Sequence, residues 1–283
     1  MDGFLLVDKE KNITSFGVCN KLKRKLNINK IGHNGTLDPN TTGLMICAVN
    51  KATKLLKLIN EHDKEYIAKI VFGYDSATLD FESELVTVDT YVSIDKIKEG
   101  LEYLKNTDTQ IPPMTSSIKI DGRKLMDYQR KNIDVEVKPR NVKLYDYEIL
   151  NDLKYIDNHY EIDIGVNVSK GYYVRALARD LGKYLGGAAI LKELRRTKMN
   201  EFNVLNAKKI DEISENDIIS IEKFFDFPKV EVNEYMAKLV KNGVELDDRQ
   251  TSIQGIFYVT YNCDIIAVYE EISPKKYKPI LIL

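Results

Sequence analysis

The chain predicts an α+β fold, a mixed and largely antiparallel sheet flanked by helices, with a small β-rich C-terminal domain. Three patterns carry that expectation. Tyr160, Ile162, Ile164, Val166 and Val168 alternate with polar residues, as do Tyr66, Ala68, Ile70 and Phe72, and period-2 alternation marks half-buried strands. Helical patterns recur between strands, but without the regular strand–helix–strand order of a parallel sheet. Beyond Phe227-Pro228 the chain shows one short helix and several short strands.

From the N-terminus, residues 1–9 read as a strand, because no positive region precedes their short apolar run as in a signal peptide. Thr14 or Ser15 caps a helix whose Val18, Leu22 and Leu26 form one apolar stripe. Residues 32–43 form a shaped loop. Leu44 to Val49 reads as a buried strand, Thr53 to Asn60 as a short helix and Lys64 to Phe72 as a strand. Ile94, Ile97, Leu101 and Leu104 mark an amphipathic helix that ends by Asn106 to Gln110. A proline-containing loop follows at Gln110-Ile111-Pro112-Pro113-Met114-Thr115. After the Tyr160–Val168 strand, a turn at Lys170-Gly171 leads into a helix burying Val174, Leu177, Ala178, Leu181 and Leu185, stopped by Gly186-Gly187. The expected domains are 1–226 and 227–283. The second comprises a helix over Tyr235–Asn242 and strands at Gly255–Thr260, Ile265–Tyr269 and Lys278–Leu283.

With 283 residues, 43% of them apolar and 30% charged, the chain has an ordinary globular composition and room for a large core. No stretch approaches the roughly 18 apolar residues of a membrane span, so the cytoplasm is the expected compartment. Cys19, Cys47 and Cys263 are few, separated and odd in number, which fits a reducing compartment rather than a disulfide framework. His33, His62 and His159 form no metal-ligand spacing, and no glycine-rich nucleotide loop is present. No cofactor or metal is expected. Net charge is −1, which conceals segregation. Residues 61–102 carry eleven acids against four bases, and residues 119–143 eight bases against four acids. Lys21, Lys23, Arg24, Lys25 and Lys30 form a second basic cluster, and Arg195, Arg196 and Lys198 a third. Any one cluster reads as a solvated face; several flanking the same motifs suggest a positive groove along a phosphate backbone.

The densest motif is Gly32-His33-Asn34-Gly35-Thr36-Leu37-Asp38-Pro39-Asn40-Thr41-Thr42-Gly43. Pro39 bars Asp38 from helical backbone, and Gly35 and Gly43 permit positive φ or close approach to a ligand. On spacing alone this is an ordinary Asp-Pro turn. Its order, however, resembles the catalytic motif of the TruB-type pseudouridine synthases, with Thr41 in place of a small alanine. Lys64-Glu65-Tyr66-Ile67-Ala68 resembles a second motif of that family, and Ser169-Lys170-Gly171-Tyr172-Tyr173-Val174-Arg175 a third. Leu191-Lys192-Glu193-Leu194-Arg195-Arg196 resembles its L-x-x-L-R-R run, and Gln110 to Lys124 a further segment with Ser117 for alanine. The N-terminal family motif is altered: Asp8-Lys9-Glu10-Lys11-Asn12-Ile13-Thr14-Ser15 lacks its proline and glycine, which puts a role for Lys9 in doubt.

The resemblance implies the pseudouridine synthase fold with a PUA-like RNA-binding C-terminal domain. It implies a tRNA pseudouridine synthase acting on uridine 55 of the T loop, an isomerase needing no cofactor. Asp38 would be the catalyst, Arg175 its partner, and Tyr66 a base-stacking residue tied to the late proton step. His33, Tyr66, Tyr173 and Leu194 would bind the substrate base, and Lys119, Arg123, Lys124, Arg195 and Arg196 the RNA, the last two meeting backbone phosphate or structural carboxylates. The implied partner is the tRNA T arm, with no protein partner and a monomeric state. The alternative is a non-catalytic RNA-binding or tRNA-chaperone protein of the same fold. Retention of Asp38, both tyrosines and Arg175 together argues against it. A carboxylate glycosidase would need two acids flanking the bond, and only Asp38 stands in a motif.

Overall fold

The computed structural model describes residues 2–59, 63–131 and 133–283. Strand β1 (Gly3–Lys9) leads to helix α1 (Ser15–Lys25), whose N-cap Thr14 accepts the Gly17 amide at 2.9 Å. Strands β2 (Ile31–His33) and β3 (Thr42–Val49) bracket the Asp38 loop, and β4 (Lys64–Phe72) follows a short connecting segment. That segment is a 3₁₀ turn over Asn50–Leu55 followed by α2 (Leu56–Ile59), not the single helix expected from Thr53 to Asn60. Asn60 lies outside the described residues.

The main sheet has the strand order Leu144–Ile149, His159–Val168, β4, Ala189–Met199, β3, β1 and Ile219–Ser220. Its central pairs are antiparallel except for one parallel contact, Thr42 and Gly43 beside Arg195 and Arg196. Helix α3 (Ile94–Lys105) matches the predicted helix, and α5 (Val174–Tyr184) packs against the Ala189–Met199 strand. Between them, a basic hairpin at Lys119–Ile120 and Arg123–Lys124 leads into α4 (Leu125–Arg130). The expected alternation holds on β4, where Tyr66, Ala68, Ile70 and Phe72 are buried while Ile67 is exposed. Val71 is buried as well, so both faces of the strand's end are covered.

After α6 (Ile221–Phe224), a five-stranded sheet holds Lys229–Glu231, Ile256–Tyr261, Asp264–Ser273, Lys276–Ile282 and Leu246–Asp247, with α7 (Glu234–Lys241) against it. Val240, Phe257, Val259 and Tyr269 are buried among these elements. Tyr258, Val268 and Leu281 share a second cluster with Phe4, Leu44, Ala52 and Leu55 of the larger part. The two sheets therefore hold one continuous apolar contact.

The parallel contact dictates a glycine. Gly43 has φ +101°, and a Cβ there would stand 2.2 Å from the Arg196 carbonyl oxygen, a backbone atom that cannot step aside. Gly43→Ala combines that clash with left-handed strain and is expected to cost more than about 2 kcal/mol. Thermal unfolding checks this: the variant melts several degrees below the wild type, and an unchanged midpoint would show that the strand pair gives way freely.

Candidate active site

Three side chains hold the Asp38 loop from below. The first is Lys9 at the end of β1, fully buried, whose ammonium donates to the carbonyls of Thr41 at 2.6 Å, Pro39 at 2.8 Å and Glu10 at 3.0 Å. This corrects the doubt raised by the altered N-terminal motif. Losing the proline and glycine leaves Lys9 in place, since β1 delivers it through antiparallel pairing of Lys9 with Gly43. The second is Ser15 of α1, whose hydroxyl accepts the Leu37 amide at 2.9 Å and donates to the Leu37 carbonyl at 3.2 Å. The third is Asn34, fully buried, which accepts the Ile46 amide at 3.2 Å. Asp38 closes its own turn, its carbonyl accepting the Thr41 amide at 3.0 Å. Its side chain stays about half exposed.

Above the loop stands Arg175, in the first turn of α5 and 8% exposed. One Nη lies 3.0 Å from Asp38 Oδ2, the partner its position against the helix dipole called for. The other Nη lies 3.6 Å from Asp80 Oδ2 and donates to the Thr78 carbonyl at 3.0 Å. The guanidinium also donates to the Thr115 hydroxyl and to the Thr115 carbonyl. One planar cation thus ties the Asp38 loop, the Thr78–Asp80 loop and the Thr115 loop together. The start of α5 is itself pinned: Gln110 accepts the Tyr173 amide at 2.9 Å and donates to the Tyr173 carbonyl at 3.2 Å.

These elements enclose a cleft of about 600 Å³, a size that suits a nucleoside. Asp38, Tyr66, Tyr173, Arg175, Leu194 and Arg196 all line it, drawn from the Asp38 loop, β4, the α5 entry and the Ala189–Met199 strand. Burial raises the Tyr173 phenol above its usual range. A smaller recess of about 80 Å³ lies beside Asp38, lined by Asp80, Glu82, Asn40 and Arg175. Asn40 donates to Glu82 at 2.7 Å, and burial with the charges of Asp80 and Asp38 pushes the Glu82 carboxyl upward.

His33 is not part of the cleft lining. It lies on β2, and burial, with the Arg196 charge adding to it, lowers its imidazole below the usual range. Lys119, Arg123 and Lys124 are exposed on the hairpin, as a polyanion-facing patch requires. Of the two partners expected for the arginine pair, backbone phosphate or a structural carboxylate, Arg195 meets the second and Arg196 meets a backbone carbonyl instead. Arg195 makes a two-pronged contact with Asp8, at 2.9 and 2.8 Å. Arg196 is 1% exposed, and its Nε donates to the Leu44 carbonyl at 2.7 Å. Strand alternation is the reason: successive residues on the Ala189–Met199 strand point to opposite faces. Sequence reading missed Asp80, which lay in a stretch taken for a solvated acidic face. Its signal was Thr78-Leu79-Asp80, a turn that follows the short strand Tyr74–Ser76. Among the described residues no group of three or more His, Cys, Asp and Glu side chains is placed to hold a metal ion. No helix among them is long and apolar enough to cross a membrane.

Comparison with known proteins bears on this geometry. Residues 23–174 match the TruB family pseudouridylate synthase (N terminal domain) profile. The chain is 37% identical over 283 residues to the tRNA pseudouridine synthase B of Aster yellows witches'-broom phytoplasma (strain AYWB), covering 99% of each. It is 36% identical over 279 residues to the protein of that name from Clostridium tetani (strain Massachusetts / E88), covering 96% of this chain and 93% of the relative. Among solved structures, a chain in the crystal structure of a Cbf5-Nop10-Gar1 complex superposes with a TM-score of 0.69 at 24% identity, over 99% of this chain and 83% of that one. The fold is that of the pseudouridine synthases. This chain belongs to the TruB family of pseudouridylate synthases.

Lys9 carries a pH signature. Burial lowers its ammonium to about 8, from an ordinary 10.5, against the opposing pull of Asp38. Between about pH 8 and 10.5 the unfolded chain binds this proton more tightly than the folded one, so this group makes stability rise with pH. Denaturant unfolding of wild type and Lys9→Met at pH 7.5 and 9.5 isolates the contribution. The variant is expected to be less stable throughout and to lack that rise. Parallel pH profiles would mean that Lys9 titrates alike in both states.

Proposed function

We propose that this chain is a tRNA pseudouridine synthase that isomerises uridine 55 of the T loop, with Asp38 as its catalyst. The observation that carries the reading is the Asp38–Arg175 pair at 3.0 Å, opening into a cleft that Tyr66 also lines. Family membership and the names of the relatives supply the reaction class and the tRNA substrate. The reaction breaks the N1–C1′ bond of the uridine, turns the ring and joins C5 to C1′. The proton leaving C5 balances the one gained at N1, so no oxidant, reductant or cofactor is consumed.

A base inside a folded loop must leave its stack before this chemistry starts, and aromatic walls offset the stacking lost. Tyr66 and Tyr173 are those walls, and Leu194 adds an apolar contact. Arg175 holds the Asp38 carboxylate aimed at the sugar. Asp38 then acts either as nucleophile or as base at the sugar, and Tyr66 assists the late removal of the C5 proton. His33 stands on β2, outside the cleft lining. Lys119, Arg123 and Lys124 grip the backbone of the T arm, Arg196 adds positive charge in the cleft, and residues 227–283 act as a PUA-like RNA-binding domain.

Asp38→Asn keeps the size of the side chain and removes its charge. The variant is expected to bind unmodified tRNA transcript while forming no pseudouridine, as mapped by chemical modification and primer extension. Product at position 55 above background would overturn Asp38 as catalyst.

The hairpin makes a separate claim. Each phosphate contact releases counterions, so log affinity falls with log salt by roughly 0.7 to 0.9 per contact. Arg123→Glu together with Lys124→Glu is expected to weaken tRNA binding and to flatten that slope by roughly 1 to 2 units. A wild-type slope in this double variant would remove the hairpin from the interface.

A further inference from the structure

We propose that Lys57 is a phosphate-binding residue at the mouth of the cleft, held by Glu270 of the C-terminal sheet and transferred to a phosphodiester when RNA arrives. This rests on the RNA-modifying reading above. Lys57 lies on α2 and lines the same cleft as Asp38 and Tyr66. The segment that carries it is anchored from the second sheet: Ala52, Leu55 and Ile59 share an apolar cluster with Tyr258, Val268 and Leu281. That anchoring fixes the backbone of α2, while the Lys57 side chain stays 53% exposed.

The Lys57 ammonium stands 3.2 Å from one Glu270 carboxylate oxygen and 3.3 Å from the other. Water reaches the Lys57 ammonium freely, while Glu270 is 25% exposed and stays fixed on its strand, so it is the lysine that can change partner at little cost. A phosphodiester presents the same arrangement as the carboxylate, one negative charge over two terminal oxygens. Lysine suits the exchange, being a point charge on a flexible four-carbon stem with three rotatable donors. Arginines of the site are committed more deeply: Arg175 holds three loops and Arg195 grips Asp8 from two nitrogens. In the free protein Glu270 neutralises the lysine and competes with RNA for it. The C-terminal sheet thereby tunes the affinity of the catalytic cleft through one charge, in addition to its proposed RNA-binding role.

The test measures retention of an unmodified tRNA transcript on filters across a salt series. It compares wild type, Lys57→Gln, Glu270→Gln, the double variant and Lys96→Gln, the same charge change at an equally exposed, carboxylate-paired lysine on α3. Lys57→Gln is expected to weaken binding several-fold and to reduce the slope of log affinity on log salt by roughly 0.7 to 0.9. Glu270→Gln is expected to bind more tightly than wild type, because the competing carboxylate is gone. The double variant matches Lys57→Gln, and Lys96→Gln matches wild type. An unchanged slope in Lys57→Gln overturns the phosphate contact, as does an equal loss in Lys96→Gln. Binding by Glu270→Gln no tighter than wild type overturns the exchange, and this arm decides alone if Lys57→Gln fails to unfold cooperatively. Pseudouridine formation by wild type on the same RNA separates the two readings. Absence of product beside a Lys57-dependent slope counts against the catalytic reading only, whereas product with a Lys57-independent slope counts against Lys57 only.

Discussion

Arg175 joins three loops whose backbone and side-chain groups converge on one guanidinium. Its contacts to Asp38, Asp80, Thr78 and Thr115 need a planar fork with five donors, which lysine cannot supply. Burial at 8% exposure makes the arrangement binding in both directions. A guanidinium away from water demands its full set of acceptors, and the loops that supply them are thereby held in register. The positioning of the aspartate, the shape of the recess beside it and the anchoring of the basic hairpin's root all trace to this one side chain. Gln110 completes it by fixing the backbone two residues ahead, at Tyr173.

Below the loop the constraint is steric and polar at once. Gly43 must be a glycine because the Arg196 carbonyl occupies the place of its Cβ, and that approach lets the Ala189–Met199 strand run parallel to β3. Lys9 and Ser15 then take up backbone groups that the irregular loop leaves without ladder partners, and Asn34 at the loop's start fastens it to the Ile46 amide of β3. A loop held by side chains of β1 and α1 and by its own asparagine keeps a defined shape while still exposing half of Asp38. Stability and chemical access are separated in this way: the lower face is held by buried polar contacts while the upper face, Asp38 included, lines the cleft.

Much of this was legible in the residues. Alternation identified β4 and the His159–Val168 strand, and the Thr14 cap and helical stripe identified α1, because each signal is local. Asp38 and Arg175 were paired from a motif and from an arginine placed against a helix dipole. Asp80 was not found, because its role depends on where a turn after β4 meets α5, a contact across 95 residues. Lys9 was undervalued for a related reason. Its partners are carbonyl oxygens, which every residue carries, so no side-chain pattern announces them. The Arg195-Arg196 pair read as one basic patch, and only knowledge that it sits on a strand divides it into a residue facing Asp8 and one buried in the cleft.

The distribution of charge explains how a chain of net charge −1 can accommodate a polyanion. Asp38, Asp80 and Glu82 gather around Arg175 at one end of the site, where the recess is small. Lys57, Lys64, Lys170 and Arg196 line the larger cleft that opens from it. Screening at physiological salt confines each group's influence to about 8 Å, so a ligand responds to these local fields and hardly to the net charge. The polarity has an orienting consequence. A nucleotide entering with its phosphates toward the lysines turns its neutral base and sugar toward the carboxylates, whereas the reverse pose sets phosphate against three acids. On the proposed reading, placement of the sugar beside Asp38 would come partly from repulsion, the acidic end rejecting one orientation while the basic end attracts the other.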